Sequence, residues 1–206
     1  MGVLHVFDMD GTLLAGTSAS LQIARSLGGD EALMALEARL AAGELDSRGF
    51  AQALHELWRE LTPATVEAAF ADSPWLSGID EVCADIRARG ERSLVITMSP
   101  DFFAHHLLSR GFDDVRASRF PPPPFTSAVD PALILTPQDK VRIVDELREQ
   151  DLCVAYGDSM SDAPLFRHLT ATVAVNADRH LDGIAAARYH GDDLFQAYQL
   201  GRQLIS

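Results

Sequence analysis

An apolar run, Val3-Leu4-His5-Val6-Phe7, stops at two carboxylates one residue apart, Asp8 and Asp10, with Gly11 and Thr12 behind them. Side chains of an extended chain alternate between faces, so Asp8 and Asp10 project to the same side where the run ends. Two carboxylates in a low-dielectric cleft repel each other unless a cation or a shared proton offsets them. The pair is therefore an acidic turn after a strand, or a place that holds a cation and moves protons. Two further apolar runs end in similar residues. Ser93-Leu94-Val95-Ile96 leads into Thr97-Met98-Ser99, and Leu152-Cys153-Val154-Ala155-Tyr156 leads into Gly157-Asp158-Ser159-Met160-Ser161-Asp162. Singly, each polar residue has an ordinary reading. Thr97 caps a strand end, Asp158 sits in a turn, Asp162 caps the helix of Leu165 and Phe166, and Lys140 is a solvated helix lysine.

The elements that must position these residues alternate in type. Ile79, Val82, Cys83 and Ile86 recur at helical spacing up to Gly90, and a helix from about Asp101 to Arg110 ends at Gly111. Thr136-Pro137-Gln138-Asp139 combines a cap with an N1 proline, which predicts a helix to about Gln150. Ala171 to Val175 is a further apolar strand. Buried strands alternating with helices predict an α/β protein, a three-layer, doubly wound parallel sheet covered on both faces. Ligands of such sheets sit at the carboxyl ends of the strands, where the polar residues above fall. Residues 15–73 are helical in texture instead. Leu33, Leu36, Leu40 and then Ala53, Leu54, Leu57, Leu61 form stripes broken near Gly28-Gly29 and Gly43, and Thr62-Pro63 opens another helix. We expect a small all-helical cap of residues 15–73, inserted after the first strand into a core of residues 1–14 and 74–206. The four prolines 121–124 predict an extended connector.

Asp8-Met9-Asp10-Gly11-Thr12, Thr97, Lys140 and Gly157-Asp158 with Asp162, taken in order, resemble the four motifs of the haloacid dehalogenase superfamily of phosphohydrolases. The resemblance spans the whole chain and is closest to the phosphoserine-phosphatase-like subgroup, whose core is Rossmann-like. It implies a phosphatase of a small soluble metabolite. Asp8 would be the nucleophile, forming an aspartyl-phosphate that splits one difficult displacement into two. Asp10 would protonate the leaving alcohol and then deprotonate water, with a pKa raised relative to Asp8. Mg²⁺ would be held by Asp8, the main-chain carbonyl of Asp10 and Asp158, an all-oxygen set that suits this ion, with Asp162 behind them. Thr97, Lys140 and the amides of Met98 and Ser99 would grip the phosphate oxygens. The charges partly offset: Asp8, Asp158, Asp162 and phosphate bring about −5, Mg²⁺ with Lys140 returns about +3, and helix N-termini soften the rest. A phosphomutase or phosphotransferase would use the same aspartyl-phosphate. A non-catalytic binding module on this fold has no need of both Asp8 and Asp10.

The same resemblance locates the residues expected to select the substrate. In phosphoserine phosphatases a glutamate grips the ammonium and a cap arginine the carboxylate. Those positions fall at Thr17 and near Leu57 here, so neither charge is present, unless Arg48 or Arg59 takes the arginine's place. Trp58 and His55 are candidates to contact an organic group, although Trp58 reads more readily as plain cap core. The proline run and Phe125-Thr126-Ser127 replace the glycine-bearing hairpin common in the subgroup.

Bulk properties narrow the rest. A net charge of −13 argues against nucleic acid or an anionic membrane as partner, both of which want lysine and arginine. A composition 47% hydrophobic and 23% charged is that of a globular chain, long enough for one core. Cys83 and Cys153 lie in apolar stretches and read as buried thiols. No signal-like or membrane-length apolar run appears, so a soluble, cytoplasmic protein is expected. Nothing in the sequence assigns an oligomeric state.

Overall fold

The computed structural model describes residues 2–206. Strand β1 (Val3–Phe7) is buried along its whole length at the middle of a six-stranded sheet. A two-residue ribbon, β2 (Asp10–Gly11) with β3 (Leu14–Ala15), follows it. The other sheet strands are β4 (Arg92–Pro100), β5 (Asp114–Ser118), β6 (Leu152–Gly157), β7 (Ala171–Val175) and β8 (Ala187–Tyr189). Their order is β5-β4-β1-β6-β7-β8, and every pairing is parallel. Register places Phe7 level with Val95 on one side and Tyr156 on the other. The carboxyl ends of β1, β4 and β6 therefore emerge together.

Alternation along the strands builds three layers, as the apolar runs predict. Val3 and Phe7, with Val95, Val154, Tyr156 and Val173, face the cluster that includes α5 (Ile79–Ala88) and α9 (Leu194–Gln203). Leu4 and Val6, with Leu94, Ile96 and Ala155, face α7 (Pro137–Arg148) and α8 (Ala163–His168). Asp8 shares the parity of Leu4 and Val6, so it continues the row on the face that α7 covers. His5 has the other parity and is sealed inside the protein, between Tyr156 Oη at 3.1 Å and Glu91 Oε2 at 2.9 Å.

Four helices occupy the stretch after the ribbon: α1 (Ala19–Leu27), α2 (Asp30–Ala41), α3 (Ser47–Leu57) and α4 (Pro63–Ala71). Ser18, Asp46 and Thr62 cap α1, α3 and α4 through their side chains, and Pro63 stands in the first turn of α4. The chain leaves and re-enters the core at one spot. The Ala15 amide donates to the Pro74 carbonyl, and the Leu76 amide to that of Leu13.

Several elements differ from the sequence reading. The strand expected to stop at Thr97 runs on to Pro100, with a shift of register against β5 between Ile96 and Pro100. The helix expected over 101–110 is one α turn, α6 (Asp101–Ala104), continued as 3-10 helix to Arg110. Gly111 ends it at φ 104°, a backbone that L side chains avoid. Strands β5 and β8 are short and charged, as edge strands are, and so lack the apolar signature of the inner ones. The proline run belongs to the irregular stretch between β5 and the turn at Pro131–Leu133, and this stretch leans on α3. His55 donates through Nε2 to the Ser127 carbonyl at 2.9 Å and stacks on Phe125. No described helix is long and apolar enough to cross a membrane.

Candidate active site

The ends of β1, β4 and β6 and the first turn of α7 bring two groups of polar side chains side by side, one around Lys140 and one around Asp10. Lys140 enters from α7, whose start is fixed by a capping box between Thr136 and Asp139. Its ammonium is 1% exposed and donates to Asp8 Oδ1 at 2.6 Å and to Asp162 Oδ1 at 2.7 Å. A lysine this buried is stable only when paired, and here two carboxylates hold it. Burial alone would lower its pKa, but Asp162 and Asp8 outweigh that and raise it, so it stays charged.

Asp162 is buried and spends its second oxygen on the loop itself, accepting the amides of Asp158 at 3.1 Å and Ser159 at 3.2 Å. The carboxylate thus folds the Gly157–Asp162 loop over Lys140. Gly157 makes this possible, because a Cβ there would collide with the Asp162 carboxylate. Gly11 plays the matching part opposite. Its φ is 79°, and a side chain would strike the Asp158 carboxylate. Thr12 Oγ1 donates to Asp158 Oδ1 at 3.3 Å. Tyr156 accepts the Asp8 amide at 2.9 Å, tying the two strand ends together.

Asp10 points to a different set of partners. One oxygen accepts the Ala19 amide at the start of α1 at 2.6 Å. The other accepts Thr97 Oγ1 at 3.0 Å and Ser99 Oγ at 2.7 Å. The Thr97 hydroxyl, expected to grip a phosphate oxygen, is committed here to Asp10 and to the Ser99 amide at 3.1 Å. Asp8 and Asp10, which start as one repelling pair, thus have separate environments.

Electrostatics follow from burial. The Asp8 carboxyl is raised well above the ordinary range, first by burial, then by the charge of Asp162, with Lys140 opposing. Burial raises Asp10 as well, against hydrogen bonds from Ala19, Ser99 and Thr97, so without a metal Asp8 and not Asp10 is the more strongly raised of the two, contrary to the order expected from the sequence. Asp158 is pushed up to about 7 by burial and by Asp162. Oxygens of Asp8, Asp158 and Asp162 all lie within 4.8 Å of one another. Three carboxylates against one ammonium leave uncompensated negative charge. An all-oxygen donor set with that excess fits a hard divalent cation.

A cavity of about 270 Å³ opens over Asp8 and Asp10. Met98, Ser99 and Pro100 line it from β4, Ser159 and Ser161 from the loop after β6, and Ser18, Ser20, Glu37, Leu40, Ser47, Phe50, Ala51 and Leu54 from the helices above. The selectivity positions read from the sequence do not reach it. Thr17 is held by its hydroxyl, which accepts from Gln22 Nε2 at 2.8 Å. Trp58 is fully buried against Phe102 and Phe120 and is plain core. Leu57 packs on the same core from its edge. Arg59 lies on the surface, 3.2 Å from Glu56 Oε2. Arg48 faces a separate cleft of about 680 Å³ along β5 and α7, which is larger but holds none of Asp8, Asp10 or Asp158. Leu40 and Leu54 belong to the helical stripes of the sequence, whereas Glu37, Ser47 and Phe50 carry no spacing signal of their own and reach the cavity through the packing of α3 on α2.

The fold is a three-layer α/β one, with acidic loops at the carboxyl ends of a parallel sheet and a buried lysine across them. The model of the haloacid dehalogenase-like hydrolases matches residues 5–167, and the chain belongs to that family. Among solved structures the fold is similar to a HAD family hydrolase from Salmonella enterica serovar Typhi, at 21% identity and TM-score 0.79 over 95% of this chain and 70% of that one. It is equally similar to a phosphoserine phosphatase solved as a phospho-aspartyl intermediate analogue, at 21% identity and TM-score 0.78, covering 96% of this chain and 98% of that one. A substrate-bound phosphoserine phosphatase matches at 19% identity and TM-score 0.77, over 97% and 98%. No curated protein matches in sequence.

Proposed function

We propose that the protein is a Mg²⁺-dependent phosphomonoesterase acting on a small soluble metabolite through an aspartyl-phosphate on Asp8. One observation carries this reading: Lys140 bridges Asp8 and Asp162 beneath the floor of a cavity whose other acid, Asp10, is held apart by Ala19, Thr97 and Ser99. Phosphate monoesters resist attack because their oxygens repel a nucleophile, so catalysis rests on positioning and neutralising charge. Lys140 provides one positive charge at the Asp8 oxygen and keeps the carboxylate aligned. Asp8, Asp158 and the loop around Asp162 would hold Mg²⁺, which neutralises phosphate oxygens when bound.

Asp10 suits proton transfer. Burial favours its protonated form, which can give a proton to the leaving oxygen. The hydrogen bonds from Ala19, Thr97 and Ser99 favour the carboxylate, which can then take a proton from water. Hydrolysis of an aryl phosphate with Mg²⁺ tests the function. Activity that disappears in Asp8→Asn and on chelation is the expected result, and an active Asp8→Asn variant overturns it. Water enriched in ¹⁸O separates hydrolysis from transfer, since only hydrolysis places label in the released phosphate.

A further inference from the structure

The cavity wall is sorted by chemistry. Its floor is the acid cluster, where the phosphate end must lie, so the alcohol must extend outward between α2 and α3. There it meets Leu40, Phe50, Leu54 and Phe120, with Ser18 and Ser47 among them. Among the described residues lining the cavity there is no lysine, arginine or histidine, and Glu37 is the sole charged group apart from Asp8 and Asp10. The nearby arginines of the helical stretch are engaged elsewhere. Arg25 approaches Asp30 to 3.9 Å, Arg39 approaches Glu44 to 3.4 Å, and Arg48 lies on the other cleft. Glu37 has no cationic partner among the described residues.

A carboxylate on the alcohol would meet apolar carbon and the like charge of Glu37, with serine hydroxyls but no cation to repay its lost hydration. A polyol would leave hydroxyls against Leu40 and Phe50. A hydrocarbon body ending in an ammonium group satisfies both wall and rim, the carbon against α3 and the cation at Glu37. We propose that the substrate is the phosphate ester of a small amino alcohol lacking a carboxylate, with Glu37 as the partner of its ammonium group. The inference rests on the phosphomonoesterase reading and adds the identity of the leaving group. Glu37 is one turn before Leu40 on α2, so the charge and the apolar contact come from one helix face. Glu37 is exposed at the rim, and the protein around it displaces enough water to push its carboxyl upward, a cost that an arriving cation relieves.

The test compares kcat/KM for 3-aminopropyl phosphate, propyl phosphate, 2-carboxyethyl phosphate and phosphoserine, with an aryl phosphate as reference. An ion pair at an exposed rim gives the amine an advantage of about fivefold over propyl phosphate, with the carboxylate-bearing esters below both. In Glu37→Gln the amine-to-propyl ratio falls to about one, and Glu37→Lys reverses the order of the amine and carboxylate esters. Melting curves confirm that both variants fold. An amine without advantage, an advantage that survives Glu37→Gln, or phosphoserine as best substrate overturns the inference while the aryl phosphate is still hydrolysed. A wild type that hydrolyses none of these esters, the aryl phosphate included, overturns the phosphomonoesterase reading as well.

Discussion

Replacing Lys140 by methionine keeps the length of the side chain and removes its charge. In the metal-free protein this strands two carboxylates, Asp8 at 6% and Asp162 at 2% exposure, that together hold the ammonium at 2.6 and 2.7 Å. Breaking a buried pair by deleting one partner costs about 3–5 kcal/mol, because the remaining charge stays buried without compensation. Asp8 has a partial escape, since its raised pKa lets it take up a proton. The lower end, about 3 kcal/mol, is therefore expected at pH 7.5. The sign with pH follows. Loss of Lys140 removes the influence that lowers the Asp8 pKa, and a raised folded pKa destabilises more as pH rises above the unfolded value. The penalty should thus shrink toward pH 5.5. Urea unfolding in chelator measures it, and a thermal melt should drop by about 6–12 °C for a chain of this size. The double variant with Asp8→Asn should recover at least about 1 kcal/mol relative to additivity. A Lys140→Met protein within about 0.5 kcal/mol of wild type at pH 7.5, the range of ordinary surface changes, would refute the role given to this pair.

Gly11→Ala should cost about 1–3 kcal/mol and impair phosphatase activity, since the backbone is left-handed and the methyl displaces Asp158; unfolding curves and aryl phosphate rates read both. Burial lowers the His5 pKa below 6.5 despite Glu91, so below that pH the unfolded chain takes up a proton that the native protein resists. Stability from this site is present above pH 6.5 and is lost as pH falls toward the folded value; the slope, at most about 1.4 kcal/mol per pH unit, should be missing in His5→Asn. Mg²⁺ should raise the melting temperature in a concentration-dependent way, and Asp158→Asn should abolish most of that response. Asp10→Asn should accept phosphate from an aryl ester yet turn over poorly, seen as a burst of aryl alcohol followed by a slow steady rate.

The core was legible because its physics is local. Leu4 and Val6 against Phe7 encode two faces by alternation alone, and Thr136-Pro137 marks the start of α7 within a residue. Asp8, Asp10, Asp158 and Asp162 stood out because polar groups end apolar runs, whereas Lys140, an ordinary helix lysine by itself, was legible only through the ordered set of motifs. Edge strands were not legible: Arg116 in β5 and Arg188 in β8 break the apolar pattern. The cavity lining was not legible for a different reason. Thr17, Leu57 and Arg59 were chosen by counting along the chain, whereas the orientation of α3 depends on its contacts with α2 and the Pro131–Leu133 turn. Glu37 and Phe50 enter the cavity through that packing, and no spacing in the sequence announces it.

The claim that most needs a direct measurement is covalent chemistry at Asp8. Acid-quenching the Mg²⁺-loaded protein with a ³²P-labelled phosphomonoester, followed by peptide mapping, tests it. We predict protein-bound label, released by hydroxylamine as an acyl phosphate is, on the peptide carrying Asp8, with more label in Asp10→Asn and none in Asp8→Asn. Turnover with no trapped label in either the wild type or Asp10→Asn, or label on another residue, would contradict the account.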